Sequence, residues 1–164
     1  MRIYIESTIP SYVVARPARD LLQAARQQMT KDWWDLKRHR HELFTGQLVL
    51  DEVAFGDPEM AHRRLDLMVG LAFLQSTEEA AELTRVIMDA RLLPAKAEGD
   101  AAHIALATCH KMDILLTWNC RHIANAFILG RLSRLIEAGG YPVPTICTPE
   151  QLLKDTYEKK DWDR

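Results

Sequence analysis

What this chain lacks narrows its class before any motif is read. It has three cysteines in 164 residues, Cys109, Cys120 and Cys147, too few and too widely spaced for a disulfide scaffold or a CxxC metal or redox pair. They are expected to be reduced packing residues, and the protein cytoplasmic. Glycine and proline number seven each and nowhere gather into a low-complexity linker, a P-loop or a dinucleotide-binding turn. No apolar run approaches the roughly 18 residues of a membrane span. The opening residues show no basic region followed by an apolar signal core. A formal charge of −2 supplies no overall basic field, so a polyanionic partner must be met by local cations or through metal ions. No His/Cys set has zinc spacing, and neither Ser7 nor Ser11 stands in a G-x-S-x-G elbow.

What is present is an ordinary globular balance, 48% hydrophobic and 27% charged. One domain is expected over residues 1–153, with a polar tail over 154–164. Residues 2–6, with Ile3, Tyr4 and Ile5, read as a buried strand. "STIPSYVVA" reads as a turn leading into a short helix. From Arg19 to Phe44 the pattern is helical, as two helices or one bent one. "QLVLDEVAF" (47–55) reads as a short strand passing into a helix, and 58–70 as a helix with Gly70 as its cap. "LAFLQ" (71–75) is a strand, and 76–93 a helix opened by Ser76 or Thr77 followed by acids. An alanine-rich helix follows over 98–112, then the apolar strand "DILLT" (113–117) and a helix over 120–140. "VPTICTPEQLL" (143–153) closes with a strand and a helix start, Thr148 as N-cap and Pro149 at the first helical position.

Short apolar strands alternating with helices imply a parallel sheet covered on both faces. Such sheets place their ligand crevice beyond the carboxyl ends of the strands. Glu6 ends the first strand there, and Thr117, Trp118 and Asn119 end "DILLTWN" there. Asp113 starts that same strand, four steps of roughly 3.3 Å away, and so belongs to the opposite edge. Glu52 stands at the strand-to-helix passage after "LVL", and Asp100 at the entrance of an alanine-rich helix. Glu6, Glu52, Asp100 and Asn119 are therefore the candidate constellation. Three carboxylates in one crevice repel one another unless a cation lies between them. Mg2+ or Mn2+, hard and oxygen-seeking, suits such a set. In that position it would polarise a phosphoryl oxygen and acidify a bound water, the chemistry of phosphodiester hydrolysis.

Taken in order, "IYIESTIPSYV", "LDEVAFGDPEMAHRRL", "GDAAHIALA", "DILLTWNCRHIANA" and "TPEQLL" resemble a PIN domain, and within it the VapC-like toxins of bacterial toxin–antitoxin pairs. The resemblance runs over residues 2–153. It implies a PIN-like three-layer α/β/α sandwich with a central parallel sheet, and an Mg2+- or Mn2+-dependent endoribonuclease. It also implies an antitoxin partner and a homodimer, the latter supported by apolar residues on 126–138 and on the Trp33–Trp34 helix. The family's strand-one acid falls on Glu6, its helix glutamate on Glu52, its third acid on Asp100 and its fourth position on Asn119. Two of these depart from the commoner pattern, since the first is usually Asp and the fourth often Asp. The hydroxyls of Ser7, Thr8 and Thr117 would orient the carboxylates or metal-bound water, and Arg121 and His122 would meet a substrate phosphate.

Plainer readings stand beside these. Asp100 suits a helix N-cap, Glu52 an exposed helix face, with Asp51 as its fallback, and Asn119 a turn that bonds the following backbone. His103, one turn beyond Asp100, reads as a packing histidine rather than a ligand. "KRHRH" (37–41) and Arg63–Arg64 would track RNA in one reading but suit wet helix faces better, and Arg121 and His122 read equally well as solvated surface. A non-catalytic RNA- or protein-binding module is the rival function. A phospho-acceptor receiver domain requires a lysine after a late strand, which "DILLTWNCRH" does not offer.

Overall fold

The computed structural model describes residues 1–153, so the expected tail over 154–164 lies outside the described residues. Five strands, β1 (Arg2–Ile5), β2 (Glu42–Gly46), β3 (Ala72–Leu74), β4 (Ile114–Leu116) and β5 (Thr145–Cys147), form one all-parallel sheet in the order β3-β2-β1-β4-β5. The α-helices are α1 (Thr8–Val14), α2 (Leu21–Leu36), α3 (Gln47–Val53), α4 (Pro58–Met68), α5 (Glu78–Asp89), α6 (Glu98–Cys109), α7 (Ala126–Ala138) and α8 (Pro149–Leu153). Successive strand residues point to opposite faces, and Ile3, Tyr4, Ile5, Leu115 and Leu116 are all fully buried. Both faces of the central strands are therefore covered, which is the three-layer α/β/α arrangement expected from sequence.

The local signals act as written at several ends. Thr77 accepts from Ala80 N at 3.1 Å and caps α5. Gln151 reaches back to Thr148 N at 2.9 Å as α8 begins. Asp113 lies at the amino edge of the sheet, accepting from Arg2 N at 2.7 Å. Gly70, just past α4, adopts φ +84, open to glycine without strain.

Three expectations are corrected. The second strand is not at 47–50: it occupies Glu42–Gly46, and Gln47 already starts α3. Helical propensity over 19–44 yields to pairing, because Glu42 N bonds Met1 O at 3.0 Å and Leu43 and Phe44 register on Ile3 and Tyr4 of β1. Asp100 is not the N-cap of α6; Ala97 holds that position and Asp100 lies inside the first turn. Residues 120–125 are turns rather than helix, with Asn125 capping α7 through Phe127 N at 3.0 Å.

Gly46 passes β2 directly into α3. A Cβ there would stand 2.9 Å from Leu106 Cδ2 and 3.3 Å from Leu74 O, so its bare backbone lets α6 and β3 close on the β2–α3 junction. Trp33 and Trp34 are buried in the core, which withdraws them from the apolar surface expected to support a dimer, whereas Phe127 on α7 is exposed. Replacing Leu115 by Ala is expected to cost about 2–5 kcal/mol of unfolding free energy. Leu22→Ala, on the exposed side of α2, should stay within about 0.5 kcal/mol. Urea titration of both variants checks the contrast.

Candidate active site

In the strand order β3-β2-β1-β4-β5 the direction of winding reverses between β1 and β4, and ligands of open parallel sheets bind beyond the carboxyl ends of the strands at such a point. Glu6 follows β1 and Thr117 follows β4. Their alignment comes from the ladder: Ile5 registers on Leu116, and Glu6 N donates to Leu116 O at 3.1 Å.

The Glu6 carboxylate is buried, 3% exposed. Burying a charge is expensive unless hydrogen bonds replace its water. Here Oε1 accepts from Ser7 Oγ at 2.8 Å. Oε2 accepts from Thr8 N at 3.1 Å, from the Thr8 hydroxyl and from Thr117 Oγ1 at 2.7 Å. The three hydroxyl residues picked out beside the candidate acids all touch Glu6.

Glu52 arrives from the last turn of α3, with a side chain 37% exposed. Its Oε2 lies 3.1 Å from Nε2 of His103, whose ring is buried against the sheet. Nδ1 of the same ring lies 2.9 Å from the Tyr4 hydroxyl. Tyr4 and Glu6 are two residues apart and so share a face of the chain, which α6 covers. Oxygen or nitrogen atoms of Glu6, Glu52 and His103 come within 4.8 Å of one another. Burial opposes ionisation of Glu52, but the hydrogen bond from His103 and the electrostatic attraction of that N–H outweigh it and hold the carboxyl below its ordinary 4.5. The single Ser7 proton is assigned by geometry to Glu6. Burial first, then the Glu6 and Glu52 charges, push the Tyr4 phenol far above its ordinary range and keep it neutral.

Asp100 forms a second group. Its Oδ1 accepts from Asn119 Nδ2 at 2.8 Å, and its Oδ2 lies 2.7 Å from Nδ1 of His122. Asn119 Oδ1 accepts from His122 N at 3.0 Å, so the turn role and the contact with Asp100 coexist. Thr117 joins the groups: its hydroxyl donates to Glu6 and accepts from Asn119 N at 2.9 Å. Gly99 brings the first turn of α6 against Glu52, where a Cβ would stand 3.7 Å from Oε1. Trp118 pins the loop, its N donating to Thr8 Oγ1 at 2.8 Å and its indole to Thr30 Oγ1 at 2.7 Å.

All four candidate residues thus gather at the carboxyl edge of the sheet, in two neighbouring groups joined through Thr117 rather than in one ring of carboxylates. Asp100 directs its oxygens to Asn119 and His122 and stays outside the 4.8 Å set. His122 is engaged by Asp100, and Arg121 is exposed. Among the described residues no Lys or Arg forms an ion pair with Glu6, Glu52 or Asp100; His103 and His122 are the basic groups in contact. A divalent cation fits this donor set, since two carboxylates converge without a fixed counter-charge. Sequence reasoning read His103 as a packing histidine and Tyr4 as a buried strand residue, and gave neither a place in the site. The one-turn spacing from Asp100 was visible for His103, and the two-residue spacing from Glu6 for Tyr4, but their contact across β1 and α6 was not.

A scan of protein-family models and a search of curated proteins find no match to this chain. Among solved structures it is similar to a chain of VapBC2 from Rickettsia felis bound to a DNA fragment from their promoter, with a TM-score of 0.58 and 13% identity. The likeness covers 90% of this chain and 98% of that one. At this identity the likeness is one of fold, and the fold is PIN-like.

Two outcomes follow from the hydrogen bonds. Thr117→Val, similar in shape but without the hydroxyl, should lower thermal-unfolding stability by about 1–3 kcal/mol, since it strips a buried donor from a carboxylate. Because the folded-state value of Glu52 is depressed, its ionisation adds stability at pH values above 4.5 that is lost as pH falls through the lower folded value. Glu52→Gln should therefore differ from wild type in urea midpoint at pH 7, and the difference should shrink below pH 4.5.

Proposed function

We propose that this chain is an Mg2+- or Mn2+-dependent endoribonuclease that hydrolyses RNA phosphodiester bonds, and that it serves as the toxin of a type II toxin–antitoxin pair. The observation that carries this reading is the convergence of Glu6 and Glu52 within 4.8 Å at the sheet's switch point, with no ion pair from a Lys or Arg to either among the described residues. Glu6 and Glu52 would hold the cation, with Asp100 and Asn119 flanking it across Thr117. Bound there, the cation supplies Lewis-acid polarisation of a phosphate oxygen and a water of lowered pKa. Ser7, Thr8 and Thr117 hold Glu6 in one rotamer, and Asn119 and His122 hold Asp100. Such prior orientation spares the site reorganisation during the reaction. Arg121, exposed two residues beyond Asn119, would meet a flanking phosphate.

A likeness of fold to a chain of the VapBC2 complex supports an antitoxin as partner, and a cytoplasmic setting and homodimer accompany that reading. Among the described residues no helix is long and apolar enough to cross a membrane. One observation favours the rival, a non-catalytic RNA- or protein-binding module: Asp100, usually a cation-facing acid in this reading, already has both oxygens occupied.

Incubation of structured RNA with Mg2+ or Mn2+ decides between them. The expected result is internal cleavage abolished by EDTA, and reduced roughly 10²-fold or more by Glu6→Gln or Asp100→Asn. Cleavage that survives both EDTA and Asp100→Asn would sink the proposal. Calorimetric titration showing no Mn2+ uptake would favour the binding module.

A further inference from the structure

We infer that His103 is a positioning residue: a neutral imidazole, set in its Nε2–H form by the buried Tyr4 hydroxyl, that donates to Glu52 and aims this carboxylate into the crevice without itself binding the cation. What Glu52 is aimed at rests on the metal-dependent reading above; the hydrogen-bond chain rests on geometry alone.

Two contacts independently assign the ring proton. Nε2 stands 3.1 Å from Glu52 Oε2. Without a proton between them, a nitrogen lone pair would face a carboxylate lone pair at hydrogen-bond distance, so Nε2 carries the hydrogen. On the other side, Tyr4 is completely buried, and His103 Nδ1 at 2.9 Å is its hydroxyl's hydrogen-bond partner among the described residues. A phenol has one proton to give. If Nδ1 were protonated, that phenol hydrogen would be left without an acceptor in a dry interior, a costly arrangement. Both ends therefore call for the same tautomer, Tyr4 O–H to Nδ1 and Nε2–H to Glu52.

The consequence reaches the cation. Nε2 could ligate a metal only after its proton moved to Nδ1 and the Tyr4 hydroxyl turned away from its acceptor. Burial of the ring, 1% exposed, and its packing against the Tyr4 ring at 5.8 Å between centroids oppose any swing. The cation is left with oxygen donors, Glu6 and Glu52. Such a set suits Mg2+ and Mn2+ rather than Zn2+, Cu2+ or Ni2+, which imidazole attracts. A histidine donating to a carboxylate reverses the usual pairing, in which a carboxylate orients a ligating histidine.

The test reads the tautomer directly, from two-bond ¹⁵N–¹H correlations of the full-length, histidine-labelled protein at pH 8, with and without Mg2+. The expected result is a protonated Nε2 and a bare Nδ1 in both states. Tyr4→Phe should split the ring between tautomers and weaken Mg2+ binding about 10-fold or more by calorimetry. His103→Gln, which retains an N–H donor, should keep affinity closer to wild type than His103→Leu. A proton on Nδ1 in the metal-free protein, its transfer there on adding Mg2+, or unchanged Mg2+ affinity in folded His103→Leu overturns the inference. If the wild type takes up no Mg2+ at all, the proposed hydrolase fails, whereas a protonated Nε2 would still uphold the chain from Tyr4 to Glu52.

Discussion

Everything at the crevice depends on how β1 lies against β4. Parallel pairing with Ile5 opposite Leu116 brings the ends of two strands, remote in sequence, to one level. The residues leaving those ends, Glu6 and Thr117, then meet as carboxylate and hydroxyl. A register slip of one residue would send these side chains to opposite faces and dissolve the arrangement. The buried β-branched and leucine side chains on both faces of these strands make such a slip costly, so the core that stabilises the domain also aligns its chemistry.

A buried acid at the end of a central strand looks like a penalty until its partners are counted. Three hydroxyls and a backbone amide converge on Glu6, so its charge is solvated by the protein itself. Most of these donors are local: Ser7 and Thr8 follow Glu6 directly, and the turn into α1 folds them back onto it. Thr117 alone comes from a distance, and it relays the alignment to Asn119 and so to Asp100. The site is thus a chain of short, directional contacts in which the acids are spaced by hydroxyls and amides rather than by fixed cations.

Helix α6 carries two members of this chain on one side, Asp100 and His103, a turn apart. Its close approach to β2 is permitted by Gly46, where a side chain would meet Leu106 and the β3 backbone. Alanines at 101, 105 and 107, all buried, serve the same purpose from the helix. The small residues of this stretch are therefore spacing devices, and the polar residues among them face the crevice that the spacing creates.

The alternation of apolar strands with helices was enough to read a parallel sheet, and the position of Glu6 and Asn119 after apolar runs was enough to place both at its carboxyl edge. Period-two and period-3.6 patterns are local, which is why β1, β3, β4, β5 and most helices were legible. β2 was not, because Glu42–Gly46 follows a helix-prone stretch and becomes a strand by pairing with β1 and β3. Nor could the amino-acid order show that Asp100 turns to Asn119 and His122 while Glu52 turns to His103. Those choices follow from which side chains the packing of α3 and α6 against β1 brings within about 3 Å, the range over which a hydrogen bond acts. Residue identity determined which groups could ionise, donate or accept; the tertiary fold decided their partners, because hydrogen bonds form across space and the chain alone sets only neighbours along itself.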